Sequence, residues 1–460
     1  MSKKNSMVEW KEYTTYLPLW ISVFRWGMFV ILRVIPALFY RLMKAPKRTI
    51  EEGPVEYTKA DVTAIIPVYQ PPESFMLTIK SLVANGMPKI LVVADITCLQ
   101  KVTDMVKDYP QVQIIVETLP GKRAAMATGL KHVTTKLTCF VDDDVQWCST
   151  VLEYLLNPFN TNEKIAGVGC EHRARYSSAF DLQMILADIR LSVRMLELFA
   201  TSAVDMGASC ISGRTGLYKT SYIQEETFYQ EFLNEKFFNM QVVSGDDKFL
   251  TRYIMRKGGK IWHQGGKKCE LSTTFERGPR FIKQLLRWSR NTWRSDITCL
   301  FIERKVWRNN PFTAVVMFDK LVTPFFLVYG LFYMPISAGI KKDYVLLIGW
   351  LAWLVFSRFV RLSYYFVKHP QNIVFIPFFI MFQYLQAVIR LYALVTLYER
   401  GWGTRDINLV GNTIQRGEDR DAEILEAANA TTDAEILPEM QEMYEMPEIE
   451  EVAEIPEVKM

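Results

Sequence analysis

The sequence has little with which to staple itself. Only seven of 460 residues are cysteine (Cys98, Cys139, Cys148, Cys170, Cys210, Cys269 and Cys299), an odd, scattered set without a CxxC pair. The four histidines make no metal-ligand spacing with them, which argues against a structural zinc site. Such cysteines read as reduced thiols of a cytosolic domain. There is no internal repeat, no known nucleic-acid-binding motif and no isolated basic module, so a nucleic-acid partner is not expected. A cleavable signal peptide is also missing: the first apolar segment, Tyr16 to Tyr40, is too long for one and has no clear small-residue cleavage site.

What the chain does have is polarity of charge. From Glu418 to Met460 there are fifteen acidic residues against Arg420 and Lys459, a balance of −13, which leaves +17 on residues 1–417 for the net +4. The acidic tail, with its Glu-Ile-Pro and Glu-Met-Pro phrases, reads as disordered. The basic body fits the excess of Lys and Arg on the cytosolic side of a membrane, and it also suits an anionic substrate such as a nucleotide diphosphate.

Long apolar stretches lie near both ends. Tyr16–Tyr40 is long enough to span, at ~20 residues per crossing, and a crossing is the favoured reading over a helix in the interface. Arg25 and Arg33 inside it must then face protein, water or headgroups. Thr313–Ser337 and Tyr344–Phe366 are further spans, and Asp319 and Lys320 in the first of them should face protein or a polar path. Ile373–Tyr398 is also apolar but contains Gln383, Gln386 and Arg390. Phe281–Glu303 is rich in Arg and Trp and looks amphipathic, as a helix lying in the interface would.

Between these segments the pattern is that of a folded domain. Asp61–Tyr69, Lys89–Asp95, Gln113–Val116 and Lys136–Val141 read as strands, with helices at Pro72–Asn85 and about Arg123–Val133. Alternation of this kind implies an α/β domain with a mostly parallel sheet. Ligands bind such sheets beyond the carboxyl ends of the strands, where Asp95 and Asp142 both fall.

Four short phrases carry chemistry. Asp142-Asp143-Asp144 follows an apolar strand; alone it is a solvated turn, but crowded carboxylates suit a Mg²⁺ or Mn²⁺ shared with substrate phosphates. Ser244-Gly245-Asp246-Asp247 precedes a helical stretch, Lys248–Arg256, and fits either helix capping by Asp or a general base. Gly121-Lys122-Arg123 opens a helix, where two cations and free N–H groups suit a diphosphate; in isolation it is a basic turn. Gln284, Arg287 and Trp288 share one helix face by their i,i+3 and i,i+4 spacing. An indole face can carry a sugar ring and an Arg can pair with phosphate, although Arg and Trp are also common membrane anchors.

Taken in order, these residues resemble the processive family-2 glycosyltransferases, which include hyaluronan, chitooligosaccharide and cellulose synthases. The family pattern is an early Asp, a DxD, an ED or GDD, then QxxRW; the matches are Asp95, Asp142/Asp144, Asp246 within Ser244–Asp247, and Gln284/Arg287/Trp288. Three phrases look closest to the hyaluronan synthase branch and are similar to fungal capsule-type synthases: Gly121–Met126, Cys210–Tyr218 and Trp402-Gly403-Thr404-Arg405. The resemblance covers roughly residues 60–405. It implies a GT-A fold, a UDP-sugar donor, and Mn²⁺ or Mg²⁺ held by Asp144 with Asp142. Tyr69, Asp95, Lys122, Arg123, Asp142, Gln284 and Arg287 would bind the donor. Asp246, paired with Asp247, would be catalytic. Trp288, Cys210, Ser212 and Gly213 would form the acceptor site, and Trp402–Arg405 a gating loop.

The domains expected are a membrane helix region at 1–44, a cytosolic GT-A domain at 45–279, an interfacial QxxRW region at 280–308, membrane and interfacial helices at 309–400, a gating segment at 401–416 and the acidic tail at 417–460. Hyaluronan synthases usually have further membrane helices after the WGTR phrase, and none follows it here. An even number of crossings must separate WGTR from the catalytic domain if both are cytosolic, so Ile373–Tyr398 is expected to be interfacial. A channel of so few spans could need a homodimer to complete it. The expected activity is inverting transfer from a UDP-sugar to a growing β-linked polysaccharide, hyaluronan-like or chitin-like, by a multi-pass protein of the plasma membrane with a cytosolic catalytic domain and tail. A lipid acceptor, as in ceramide glucosyltransferases, is the alternative, and an inactive scaffold the remote one.

Overall fold

A computed structural model describes Leu17 and residues 20–42, 55–119, 121–176 and 178–399. The expected gating phrase, Trp402-Gly403-Thr404-Arg405, and the acidic tail lie outside the described residues.

Four strands form the first half of the sheet: β1 (Val62–Val68), β2 (Lys89–Asp95), β3 (Val112–Glu117) and β4 (Leu137–Val141). All pair in parallel, in the order β3-β2-β1-β4. Their apolar runs explain why: β1, β2 and β4 are covered on both faces, which a βαβ layout requires. β3, at the edge, is only half covered. The second half is mixed and was not evident from strand patterns. β5 (Val145–Trp147), β6 (Ile165–Ala174), β7 (Thr215–Lys219), β8 (Lys260–Gln264) and β9 (Glu270–Thr273) complete a nine-stranded sheet. β7 inserts antiparallel between β4 and β6, and β8 and β9 both pair in parallel with β6.

Among the described residues four helices are long and apolar enough to cross a membrane: α1 (Trp20–Tyr40), and later Pro311–Ile340, Tyr344–Lys368 and Pro370–Val395. Between them run α2 (Phe75–Ala84), α3 (Lys122–Lys131), α4 (Leu182–Val204), α5 (Asp246–Arg256) and α6 (Pro279–Ile297). The three later apolar helices are α7, α8 and α9 in chain order. α9, expected along the interface, has the length and apolar character of a crossing helix and packs along α6.

The charges inside the apolar helices are paired with protein, as their cost in lipid demands. Asp319 of α7 holds Arg25 and, at 2.8 Å, Arg33 of α1. Lys320 reaches Glu197 of α4 at 2.8 Å. Burial pushes the Glu197 carboxyl up, but Lys320 and Arg33 outweigh it and hold it well below the usual carboxylate range. These pairs fix the apolar helices to α4, which in turn packs on β6.

Candidate active site

The site is built at the carboxyl edge of the sheet, where β4 delivers Asp142, and where two helices begin. α3 starts at Lys122 after Gly121, whose φ is 113°. α5 starts at Asp246 after Gly245, whose φ of 86° lies in the left-handed region that favours glycine. The cap residue of α5 is therefore Gly245, and Asp246 does not cap its helix. It turns instead toward Lys122.

Lys122 ties the two acidic turns together. Its Nζ lies 2.6 Å from Asp142 Oδ1 and 3.0 Å from Asp246 Oδ2. Burial pulls the ammonium down, but the two carboxylates more than offset it and hold its pKa above the usual lysine range. For Asp246, burial acts upward and is outweighed by Lys122 and then Arg123, so this carboxyl sits below its ordinary value. A Cβ on Gly213 would lie 3.1 Å from Lys122 Nζ and 3.4 Å from Asp246 Oδ2, so a larger residue would press on the lysine end of the pair. Gly213 N and Cys210 Sγ both donate to Asp247 Oδ2, at 3.4 and 3.2 Å. Burial, and then Asp247, push the Cys210 thiol up to about 12, so it is a buried donor and not a nucleophile. Ser212 is buried beside them, its carbonyl accepting from Thr215 N.

Asp144 sits one step further along the edge. Thr274 Oγ1 donates to its Oδ2 at 3.0 Å, and Thr273 Oγ1 is at 3.5 Å. Burial and then Asp142 raise its pKa, with Arg214 offsetting only part. That residual crowding of carboxylates is what a cation would relieve. Among the described residues no group of three or more His, Cys, Asp or Glu side chains could hold a metal ion alone.

The helix α6 carrying Gln284, Arg287 and Trp288 is anchored to the second acidic turn and to α5. Ser244 Oγ donates to Asn291 Oδ1 of α6 at 2.9 Å, and Lys248 of α5 pairs with Asp296 at 3.2 Å. Arg214 links Trp288 to Asp144: its Cζ stands 5.3 Å from the Trp288 ring and its Nε donates to Thr273 Oγ1. Trp288 also meets Phe275 edge-on. Gln284 Oε1 is buried without a hydrogen-bond partner.

Three further residues expected to bind the donor have these surroundings. Arg123 is buried, donating through Nη1 to Phe232 O at 2.6 Å and pairing through Nη2 with Glu235 at 2.5 Å. Successive helix residues point ~100° apart, so while Lys122 faces the acids Arg123 faces the core and ties α3 to Phe232 and Glu235. Asp95, half-exposed at the end of β2, accepts from Thr97 N at 2.9 Å. Tyr69 is half-exposed just beyond the end of β1. The site also contains groups that sequence reading missed: Arg214, Thr274, and Arg190 and Arg194 of α4. The last two show an i,i+4 spacing on a helical stretch, which places both on one face.

The comparisons agree with this architecture. The model of the family "Glycosyltransferase like family 2" matches residues 60–291. A type 2 glycosyltransferase of Zymoseptoria tritici is 32% identical over 362 residues, covering 76% of each chain. A hyaluronan synthase of Streptococcus pyogenes is 26% identical over 357 residues, covering 75% of this chain and 83% of its own. The solved structure of a Pyrobaculum calidifontis mannosyltransferase, in complex with GDP-Man and Mn²⁺, aligns with a TM-score of 0.51 at 14% identity over 82% of this chain and 99% of its own. The fold is thus of the GT-A type. The chain belongs to the family-2 glycosyltransferases.

Proposed function

We propose that this glycosyltransferase transfers a sugar from a UDP-sugar, with inversion, to a growing β-linked polysaccharide at a membrane. The observation that carries the reading is the junction at Lys122, which places the Asp142 and Asp246 turns on one cation beside the Trp288 helix. Asp95 and Tyr69, at the ends of neighbouring strands, would receive the nucleoside. Lys122 would meet the diphosphate. Asp142 and Asp144 would hold Mn²⁺ or Mg²⁺ beside the diphosphate. When bound, such an ion neutralises charge developing on the departing diphosphate.

Asp246 accepts the proton of the attacking acceptor hydroxyl. Lys122 holds Asp246 ionised before the donor arrives, which keeps it competent as an acceptor of protons. Asp247 fixes the Cys210–Gly213 loop, so that Gly213 leaves space next to the base. Trp288 supports the terminal acceptor sugar, and Arg287 steadies the leaving group. α1, α7 and α8 would cross the bilayer, with α9 along its cytosolic interface. Support for this placement comes from Arg294 of α6, which donates to the carbonyls of Leu397 and Glu399 just beyond α9. A dimer would enlarge the channel.

The test is UDP release by the purified full-length protein against a panel of UDP-sugars, singly and in pairs, with products sized on a gel. A high-molecular-weight product supports the reading, and a requirement for two donors marks a hyaluronan-like chain. A single glycosylated lipid overturns it in favour of a lipid acceptor.

A further inference from the structure

Two arginines gather around Trp288. Arg190 Cζ lies 5.3 Å from the Trp288 ring, as Arg214 Cζ does. Arg194, one turn along α4, donates to Cys210 O at 3.0 Å, and Arg214 to Thr273 Oγ1 at 3.1 Å. Arg190 makes no hydrogen bond or ion pair to another described residue. Its charged neighbours are Arg194, Arg214 and Arg390; burial first, and then these three, push its guanidinium down to about 9. Arginine does not give up its proton inside proteins. The charge is therefore kept against its burial first and the neighbouring cations second, and an anion would offset both.

The position of Arg190 says which substrate brings that anion. Arg214 feels Asp144 and Asp142 and so belongs to the donor side. Arg190 is bonded to neither acid and meets the site through the Trp288 ring. Both guanidinium groups stand 5.3 Å from the Trp288 ring, and of the two Arg214 is the one bonded to Thr273 beside Asp144. We propose that Arg190, with Arg194 beside it, binds an anionic group on the acceptor, while Trp288 carries the adjoining sugar ring. The chemistry is that of an oxyanion one sugar unit from the platform: the carboxylate of a uronic acid, or the phosphate of a lipid-linked acceptor. A planar fork of donors suits either. This rests on the reading of Trp288 as the acceptor platform.

The experiment uses the full chain in nanodiscs at low and moderate salt. Three probes are titrated: a neutral N-acetylglucosamine tetrasaccharide, a glucuronate-containing tetrasaccharide of equal length, and citronellyl phosphate with citronellol as its uncharged control. A charge-assisted hydrogen bond predicts that one anionic probe binds about 10-fold or more tighter than its neutral counterpart. Arg190→Gln should erase that preference and leave UDP binding and neutral-probe binding in place, while Arg190→Lys should keep part of it. Preference for the glucuronate probe assigns a uronic acid, and preference for citronellyl phosphate a lipid phosphate. Equal binding of charged and neutral probes by the wild type overturns the proposal, as does a loss in Arg190→Gln that is the same for all probes. If Trp288→Ala leaves every probe unaffected while Arg190→Gln removes the charge preference, the platform reading has failed and the anion site stands.

Discussion

Replacing Lys122 by Met removes the side chain that joins the two acidic turns. The Lys122, Asp142 and Asp246 side chains are 22, 26 and 12% exposed, so the cluster is largely buried but not sealed. Breaking a fully buried pair by deleting one partner costs ~3–5 kcal/mol, because the other charge is left uncompensated. Partial exposure lowers this, and ~2–3 kcal/mol is the expectation here. For a domain of this size each kcal/mol moves Tm by ~2–4 °C, so the catalytic domain should melt about 4–12 °C lower. UDP affinity should also fall, by about 10-fold or more, because a charge-assisted contact to the diphosphate is lost. Scanning fluorimetry in one detergent, with and without UDP, reads both effects. A Lys122→Met protein with unchanged Tm and unchanged UDP-dependent stabilisation would refute the reasoning, for Lys122 would then neither compensate the acids nor touch the donor.

Other substitutions probe separate parts of the site. Asp144→Asn should weaken UDP-sugar binding in Mn²⁺ sharply while the protein stays folded, and unchanged binding and turnover would remove Asp144 from the site. Trp288→Ala should abolish elongation in a protein that still binds UDP; a loss confined to membrane association would make it an anchor. Glu235 tests the fold: burial raises its carboxyl, but Arg252 and Arg123 outweigh this and hold it below 4.5. A depressed folded-state pKa contributes stability fully above the unfolded value, and this is lost as pH falls through and below 4.5. Glu235→Gln should therefore lower Tm at neutral pH and flatten the acid limb of a Tm-against-pH curve; an unaltered limb would show that the pair contributes nothing.

Much of this arrangement was readable in the residues. The parallel strands announced themselves as unbroken apolar runs, because burial on both faces leaves no polar alternation, and the acids followed at their ends. The second half of the sheet was harder: β6 mixes glycines with charged residues, and β5 is three residues long, too short for a pattern. The QxxRW spacing placed its residues on one helix face; Trp293, five residues on and so ~140° around the helix from Trp288, is core. It is buried and donates its indole N–H to Arg390 O at 2.9 Å. Lys122 and Arg123 looked equivalent as two adjacent cations. Only the packing of α3 sends one to the acids and the other to Glu235. Arg190 was invisible as a site residue because its partner Trp288 lies almost a hundred residues away.

The central claim is that Asp246, held beside Lys122, is the base of glycosyl transfer. The direct measurement compares Asp246→Asn and Asp247→Asn for polymer synthesis and for UDP-sugar binding in the same detergent. Amide replaces carboxylate nearly isosterically but cannot take the proton, and loss of a general base typically costs ~10²–10⁴-fold in rate. Asp246→Asn should lose synthesis on that scale and keep donor binding. Full synthesis by Asp246→Asn, with activity abolished in Asp247→Asn, would contradict the account and move the base to the neighbouring carboxylate.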